Sequence, residues 1–322
     1  MVATVAANNV IGVDVGGTKL LVAVIDQSLG VHHRIQQSSQ DLDGAALLDR
    51  LAEMVDEAID SADGEVLGAG FGVAGIFDSK AGAIATSPHL PLAGVSFAAV
   101  MGERVGVPVT VDNDANCAML AEWRYGAAKG ADDALLLTVG TGIGGGMVVN
   151  GQLARGSSGG GAEFGHIVVE LDGPPCKCGG NGHLEWYASG DAIGRAGEAA
   201  VADKPDSPLA LASADGRGVS GALVTEMAHD GDADSVAAVA LVGRRLGQGL
   251  ASLVNAYNPE LIVIGGGAIA AGDLLLAPAR EVVEREALAS LGDHVSIVPA
   301  EFGADAGVIG AAVMAFEAAA SA

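Results

Sequence analysis

The stretch Asp14-Val15-Gly16-Gly17-Thr18-Lys19 stands between two apolar runs, residues 10–15 and residues 20–25. This order predicts a strand, a glycine turn and a second strand. Glycine lets the backbone approach an anion closely, because no Cβ intervenes and successive N–H groups can point into one concavity. We therefore predict a phosphate-binding hairpin, to which Thr18 adds a hydroxyl and Lys19 a cation.

Asp14 lies on the strand just before this turn. A carboxylate there would repel phosphate directly, so we predict that it contacts a hydrated Mg²⁺. The element differs from a Walker loop and from the dinucleotide fingerprint, because a strand follows the glycines where those motifs have a helix. For one such element alone, an ordinary tight hairpin is the alternative.

A second strand–glycine–strand unit covers residues 134–150, with residues 140–146 as its predicted turn. A third glycine cluster, at residues 265–267, follows the predicted strand 261–264. Three points of close backbone approach suit a nucleotide triphosphate held between two lobes. The candidate ATP contacts are Asp14, Gly16, Gly17, Thr18, Lys19, Gly140, Thr141, Gly142, Gly144, Gly266 and Gly267.

Strands alternate with helices along the chain, which predicts an α/β fold. The repeated glycine hairpin also suggests two related halves. The further predicted helices are 42–59, 94–105, 115–125, 236–257 and 304–320, and the further predicted strands are 66–73, 107–111 and 295–299.

Asn113 and Asp114 end a predicted strand and begin a predicted helix. Ligands usually bind at the carboxyl edge of a parallel sheet. Phosphoryl transfer to a hydroxyl needs a carboxylate that can accept the hydroxyl proton, and a helix N-terminus favours the ionised form of Asp114. Aspartate is also a preferred helix N-cap, so this segment alone leaves both roles open.

Four potential metal ligands, His166, Cys176, Cys178 and His183, fall within 18 residues with the spacing His-x9-Cys-x-Cys-x4-His. Structural Zn²⁺ takes four nitrogen or sulfur ligands in a tetrahedron, so we predict a structural zinc site. A reduced thiol pair beside surface histidines is the alternative. The third cysteine, Cys117, is predicted to be a core residue.

Composition and charge argue against several classes of partner. The 322 residues carry a net charge of -24, which disfavours binding to DNA, RNA or an anionic membrane. We find no apolar run of the roughly 18 residues that span a bilayer and no signal peptide in residues 1–9. The three cysteines indicate a reducing compartment, so we expect a cytoplasmic protein.

Together these motifs resemble the ROK family of sugar kinases, and within it the bacterial ATP-dependent glucokinases. The resemblance runs nearly end to end and implies a two-lobed, actin-like (ribonuclease H-like) ATPase fold with a central cleft. It also implies a smaller domain of residues 1–112, completed by helix 304–322, and a larger domain of residues 113–303 with a zinc-binding insertion. The segments that carry it are DVGGTK (14–19), NDAN (113–116), TVGTGIGGG (138–146), GAEFGH (161–166) and CKCGGNGHLEWYAS (176–189).

The resemblance assigns roles to individual residues. Asp114 would be the catalytic base that activates a sugar hydroxyl toward ATP–Mg²⁺. His166 would contact sugar and ligate zinc, so the metal would shape the sugar pocket from behind. Homodimers or homotetramers are common in the family. The candidate sugar contacts are Gly75, His89, Asn113, Asp114, Glu163, His166 and Glu185.

Two positions depart from the family pattern. The family usually has a third cysteine where this chain has His183, and we predict a His₂Cys₂ zinc site. Glucokinases of the family commonly have asparagine where His89 stands. The resemblance makes glucose the first expectation. The departure at His89 keeps fructose, mannose, an N-acetylhexosamine or a cyclitol as the alternatives.

A non-catalytic regulator that binds sugar and nucleotide is the alternative from a different class. Repressors of the family carry an added N-terminal helix-turn-helix. The first glycine loop begins at residue 14, so we expect no such element in this chain.

Overall fold

Two five-stranded sheets with the same strand order form the framework of the protein. The computed structural model describes residues 8–78, 80–214, 216 and 218–321. The strands are β1 (Asn8–Val15), β2 (Lys19–Asp26), β3 (Val31–Ser38), β4 (Glu65–Val73), β5 (Ile76–Asp78), β6 (Ala83–Thr86), β7 (Val109–Asn113), β8 (Ala134–Val139), β9 (Ile143–Val149), β10 (Gln152–Leu153), β11 (Leu261–Gly265) and β12 (Ser296–Pro299). The helices are α1 (Gly44–Ser61), α2 (Phe97–Val105), α3 (Asp114–Tyr125), α4 (Leu184–Ala188), α5 (Gly190–Asp203), α6 (Pro208–Ser213), α7 (Gly221–His229), α8 (Ala233–Tyr257), α9 (Asp273–Glu286), α10 (Ala289–Gly292) and α11 (Ala306–Ser321).

The first sheet has the order β3-β2-β1-β4-β7. Strands β1, β2 and β3 pair antiparallel, whereas β4 and β7 run parallel to β1. Both β1 and β2 are buried along nearly their whole length, because α1 covers one face of the sheet and α11 the other. That burial on two faces explains their continuous apolar sequence.

The second sheet repeats this topology in the order β10-β9-β8-β11-β12. Strands β8 and β9 form an antiparallel hairpin, as β1 and β2 do in the first sheet. Strands β11 and β12 run parallel to β8, as β4 and β7 run parallel to β1. The two halves suggested by the repeated glycine hairpin are therefore confirmed in the topology. The tip of the first hairpin, residues 16–18, follows β1, and the tip of the second hairpin, residues 140–142, follows β8.

Helices α3 and α11 each follow the last strand of one sheet and pack on the other. Helix α11 lies on β1 and β4, α3 lies on β8 and β9, and the two helices contact each other. Glycine is required where they meet, because a Cβ on Gly310 would overlap the carbonyl of Cys117. Cys117 is 1% exposed, which confirms its prediction as a core residue.

One segment among the described residues, Gly303–Ser321, is long and apolar enough to cross a membrane, with a mean hydropathy of 1.3. The segment includes Asp305 and Glu317, so its uninterrupted apolar run covers only residues 306–316. Residues such as Val308, Ala311 and Val313 are buried against the first sheet, and this packing accounts for the apolar composition. A core helix of a soluble protein meets the same criteria of length and hydropathy.

Several predicted element bounds shift in the structure. The helix predicted from residue 94 begins at Phe97, and the strand predicted at 107–111 lies at Val109–Asn113. The predicted turn 140–146 ends at Gly142, because β9 begins at Ile143. A Cβ on Gly144 would lie 3.0 Å from the Cβ of Ala115, so the glycines inside β9 permit close packing of α3. The domain boundary at residue 112 stays a prediction.

Candidate active site

The tip of the first hairpin is held from both sides. Its Gly16 N–H donates to the carbonyl of Lys19 at 2.9 Å, and the hydroxyl of Ser39 donates to the carbonyl of Gly16 at 2.8 Å. A Cβ on Gly17 would lie 2.6 Å from the Cβ of His89, so only glycine fits there. Thr18 is exposed at the tip. The predicted sugar-loop residue His89 therefore lies directly against the predicted phosphate hairpin.

The second hairpin closes in the same way, with Gly140 N–H donating to the carbonyl of Gly142 at 2.9 Å. Its Gly140 carbonyl accepts from Gly190 N–H, the first residue of α5, at 2.6 Å. The carboxylate of Glu185 accepts from Ile143 N–H at 2.8 Å and packs against Gly142. Glu185, predicted to bind sugar, thus also holds the second hairpin. Thr141 is exposed at the tip.

The third glycine cluster lies beside this second hairpin. Gly266 adopts a φ of +81°, and a Cβ there would lie 2.5 Å from the carbonyl oxygen of Val139. Apart from its chain neighbours, no residue that the structure describes has an atom within 4 Å of a Cβ built on Gly267, which therefore faces open space. The structure brings Gly266 and Gly267 to the second hairpin, whereas Gly144 lies inside β9 and away from its tip.

Asn113 is the N-cap of α3. Its Oδ1 accepts from Ala115 N–H at 2.8 Å and from Asn116 N–H at 3.0 Å. Its amide donates to the carbonyl of Gly75 and to Oδ1 of Asp114, each at 3.0 Å. The capping role that could have explained Asp114 therefore belongs to its neighbour. The predicted contact of Asn113 with sugar stays a prediction, since its amide here orders Gly75 and Asp114.

The carboxyl group of Asp114 lies in the first turn of α3. Burial raises its pKa above the ordinary 3.8, and the backbone N–H of Ala115, the amide of Asn113 and the charge of His89 oppose this shift. A raised pKa makes a carboxylate a better proton acceptor near neutral pH. His89 is exposed, so its side chain is available to a ligand beside Asp114.

A second carboxylate, Asp14, lies close enough to Asp114 for the two to repel. Burial raises the pKa of Asp14 to about 7, the charge of Asp114 adds to this shift, and Lys19 opposes it. A Cβ on Gly307 would lie 3.2 Å from the Asp14 carboxyl carbon, which places the group on the first turn of α11. Paired carboxylates that repel each other fit the oxygen-ligand chemistry of Mg²⁺.

Asp305 is an acidic residue near this pair that sequence reasoning missed. Its charge contributes to the raised pKa of Asp14, and it pairs with Arg34 at 2.7 Å. Asp305 ends the turn between β12 and α11, as Asp114 begins the helix after β7. The repeat of the two halves was therefore the signal that could have found it.

The predicted sugar side of the site is formed by Glu163, His166 and Glu185. Burial raises the pKa of Glu163, His166 opposes the shift, and the charges of Asp114 and Glu185 add to it. Glu163 Oε2 lies 4.0 Å from Nε2 of His166, across the short 3-10 turn Phe164–His166. The charges of two other predicted site carboxylates, Asp114 and Glu185, therefore both act on Glu163.

The four predicted metal ligands converge, with all ligand atoms within 4.8 Å of one another. Nδ1 of His183 lies 3.3 Å from Nδ1 of His166 and 3.4 Å from Sγ of Cys178, and Sγ of Cys176 lies 3.9 Å from Nδ1 of His166. Ligands of one tetrahedral Zn²⁺ lie about 3.3–3.8 Å apart, given bonds of about 2.0–2.3 Å. The arrangement fits a zinc ion, with Nε2 of His166 directed toward Glu163.

The sequence model of the ROK family matches residues 10–318. The chain belongs to the ROK family. A glucokinase of Halalkalibacterium halodurans is 37% identical over 306 residues, which cover 93% of this chain and 92% of that protein. A glucokinase of Streptomyces coelicolor is 34% identical over 313 residues, covering 95% and 97%. These findings confirm the family predicted from the motifs.

A solved ROK structure, a glucokinase from Streptomyces griseus in complex with glucose and AMPPNP, has a TM-score of 0.88 and 34% identity. The alignment covers 96% of this chain and 99% of the Streptomyces griseus chain. This similarity confirms the predicted two-lobed, actin-like ATPase fold. ROK relatives also include a xylose repressor of Bacillus spizizenii, 28% identical over 311 residues, which cover 95% of this chain and 77% of that protein.

Proposed function

We propose that the protein is an ATP-dependent glucokinase that phosphorylates glucose at O6. One observation carries the proposal: Asn113 caps α3, so the carboxyl group of Asp114 does not serve as the cap and lies close enough to Glu163 for its charge to raise the pKa of Glu163. A proton acceptor at one point and several sugar-binding groups around it suit a hydroxyl acceptor. Family membership supports the same reaction class.

In the proposed reaction, Asp114 accepts the proton of O6 as this oxygen attacks the γ-phosphorus of ATP. The O6–phosphorus bond forms while the bond from phosphorus to the β–γ bridging oxygen breaks, and ADP leaves with the electron pair. N–H groups of the two glycine hairpins and Lys19 stabilise the charge on the phosphates. Mg²⁺ bound with the nucleotide would be held by Asp14 through water and would neutralise phosphate charge.

Recognition of the sugar follows from the groups around Asp114. Glu163 and Glu185 accept hydrogen bonds from sugar hydroxyls, and His166 offers Nε2 while Nδ1 faces the cluster of metal ligands. One structural Zn²⁺ per chain, held by His166, Cys176, Cys178 and His183, would fix the orientation of His166. We also propose a cytoplasmic homodimer or homotetramer, in keeping with the family resemblance.

The test is ADP release by the purified protein with Mg²⁺–ATP and a panel of sugars: glucose, fructose, mannose, N-acetylglucosamine and a cyclitol. The proposal predicts the highest kcat/KM with glucose. A higher kcat/KM with another acceptor would refute glucose as the preferred substrate, but the protein would still be a sugar kinase. Saturable sugar binding without ADP release would favour a regulator, the second candidate, for which the relation to xylose repressors is the specific observation.

A further inference from the structure

An ion pair that no motif predicted joins the two sheets beside the active site. Arg155 Nε donates to Oδ2 of Asp112 at 2.6 Å. Asp112 belongs to β7 of the first sheet, whereas Arg155 follows β10 of the second sheet. The side chain of Asp112 is 5% exposed and that of Arg155 is 42% exposed. Asp112 is thus a buried carboxylate whose charge is paired by one residue of the other half.

Asp112 lies two residues before Asp114 and is tied to the start of α3. Its Oδ1 accepts from the N–H of Asn113 at 2.8 Å and from the amide of Asn116 at 3.0 Å. Asn113 and Asn116 belong to the capped first turn that carries Asp114. The position of the Asp112 carboxylate therefore sets the position of the segment that holds the proposed base.

Arg155 is tied to the loop that carries the sugar-binding groups. Its carbonyl accepts from Gly161 N–H at 2.9 Å, and a Cβ on Gly161 would lie 2.9 Å from the carbonyl carbon of Arg155. This closes residues 155–161 into a compact loop that leads directly into Glu163. The loop also reaches the first half of the chain, because a Cβ on Gly160 would lie 2.8 Å from a methyl group of Ile76.

We propose that Arg155 is a positioning residue for phosphoryl transfer, and that its pair with Asp112 sets the distance between Asp114 and Glu163. The inference rests on the proposed function. One end of the pair holds the turn with the base, and the other end holds the loop with the sugar contacts. Neither residue lies on a glycine hairpin, so the pair acts on the acceptor and not on the binding of ATP.

Asp112→Asn is the most informative variant. The amide keeps Oδ1 for Asn113 and Asn116 but presents an NH₂ group to the Arg155 donor, which breaks the link. Arg155 is partly exposed, so water can solvate its charge in this variant. We expect kcat/KM for the sugar to fall about 10²-fold, the effect of misplacing reacting groups by about 1 Å. The KM for ATP should change less than twofold.

Three further proteins complete the test. Arg155→Met alone would leave the buried carboxylate of Asp112 unpaired, so this change is combined with Asp112→Asn. The double variant should have the same kcat/KM as Asp112→Asn alone, because both proteins lack the same Arg155–Asp112 pair. Arg155→Lys keeps the charge and should restore part of the sugar kcat/KM. Arg285→Met, which removes an exposed pair with Glu286 on α9, is the control and should leave both KM values unchanged.

The result that overturns the inference is a folded Asp112→Asn protein, with the wild-type melting temperature, whose sugar kcat/KM stays within threefold of wild type. An equal rise in the KM for ATP and for sugar would also overturn it, because a general structural defect behaves in this way. A wild-type protein without sugar-dependent ADP release would overturn the proposed function, and the inference would fail with it.

Discussion

Replacing Asp14 by asparagine should stabilise the protein at pH 8 when Mg²⁺ is absent, although the same change should impair catalysis. The pKa of Asp14 is raised from 3.8 to about 7 by burial, with the charge of Asp114 as the second cause. The folded protein therefore keeps a proton on Asp14 between about pH 4 and pH 7, where the unfolded chain has released it. Since the folded state binds more protons, its stability falls as pH rises through this window.

The size of the effect follows from the shift of about three pKa units, at 1.36 kcal/mol for each unit. Asp14→Asn removes the ionisable group, so its gain in the free energy of unfolding should be about 4 kcal/mol at pH 8 and about 2 kcal/mol at pH 5. In a chain of this size each kcal/mol corresponds to roughly 2 °C in melting temperature.

Thermal unfolding at pH 5 and pH 8, without added Mg²⁺ or nucleotide, measures this difference. Asp56→Asn, which removes an exposed carboxylate from α1, is the matched control and should show the same melting-temperature change at both values. A melting-temperature difference between Asp14→Asn and wild type that does not grow with pH would refute the electrostatic account of the Asp14 and Asp114 pair. Added Mg²⁺–ATP should stabilise wild type more than Asp14→Asn.

Three other predictions concern the metal site, the acceptor and the base. Metal analysis should find about one zinc per chain. Cys176→Ser should lose the zinc and have a lower melting temperature, whereas His183→Cys should keep the zinc. A folded, active, zinc-free protein would contradict this prediction. His89→Asn should raise kcat/KM for glucose relative to the other sugars, and an unchanged ratio would show that His89 does not select the acceptor. Because burial raises the pKa of Asp114, kcat/KM for glucose should rise with pH through a value above the ordinary 3.8, and a flat profile would argue against Asp114 as the base.

Much of the fold was predictable because β1, β2 and β8 are buried, apolar and adjacent to a glycine turn, which follows β1 and β8 and precedes β2. Strand β3 was missed, since Val31–Ser38 is an edge strand with alternating exposure and polar residues such as His33 and Arg34. The short hairpin of β5 and β6 was missed for a related reason, because Ile84 is the single fully buried residue of these two strands. Burial against a second layer was the signal that the sequence carried.

Candidate site residues that stand inside a local motif could be named from the sequence, whereas residues that are tied to distant partners could not. The four metal-ligand candidates lie within 18 residues of one another, and Asn113 and Asp114 are adjacent in the chain. Arg155 lies 43 residues from Asp112, so no local spacing joins them. The choice of N-cap was open for a different reason: Asn113 and Asp114 are both good caps, and only backbone geometry shows that Asn113 takes that role.

Steady-state turnover of Asp114→Asn with glucose and Mg²⁺–ATP tests the central claim most directly. The variant keeps the size of the side chain and the cap by Asn113, so folding and the KM for ATP should stay near wild type. A positioned base contributes about 10²–10⁴-fold, and kcat should fall by a factor in this range. A folded Asp114→Asn protein that phosphorylates glucose within a few-fold of the wild-type rate would contradict the account.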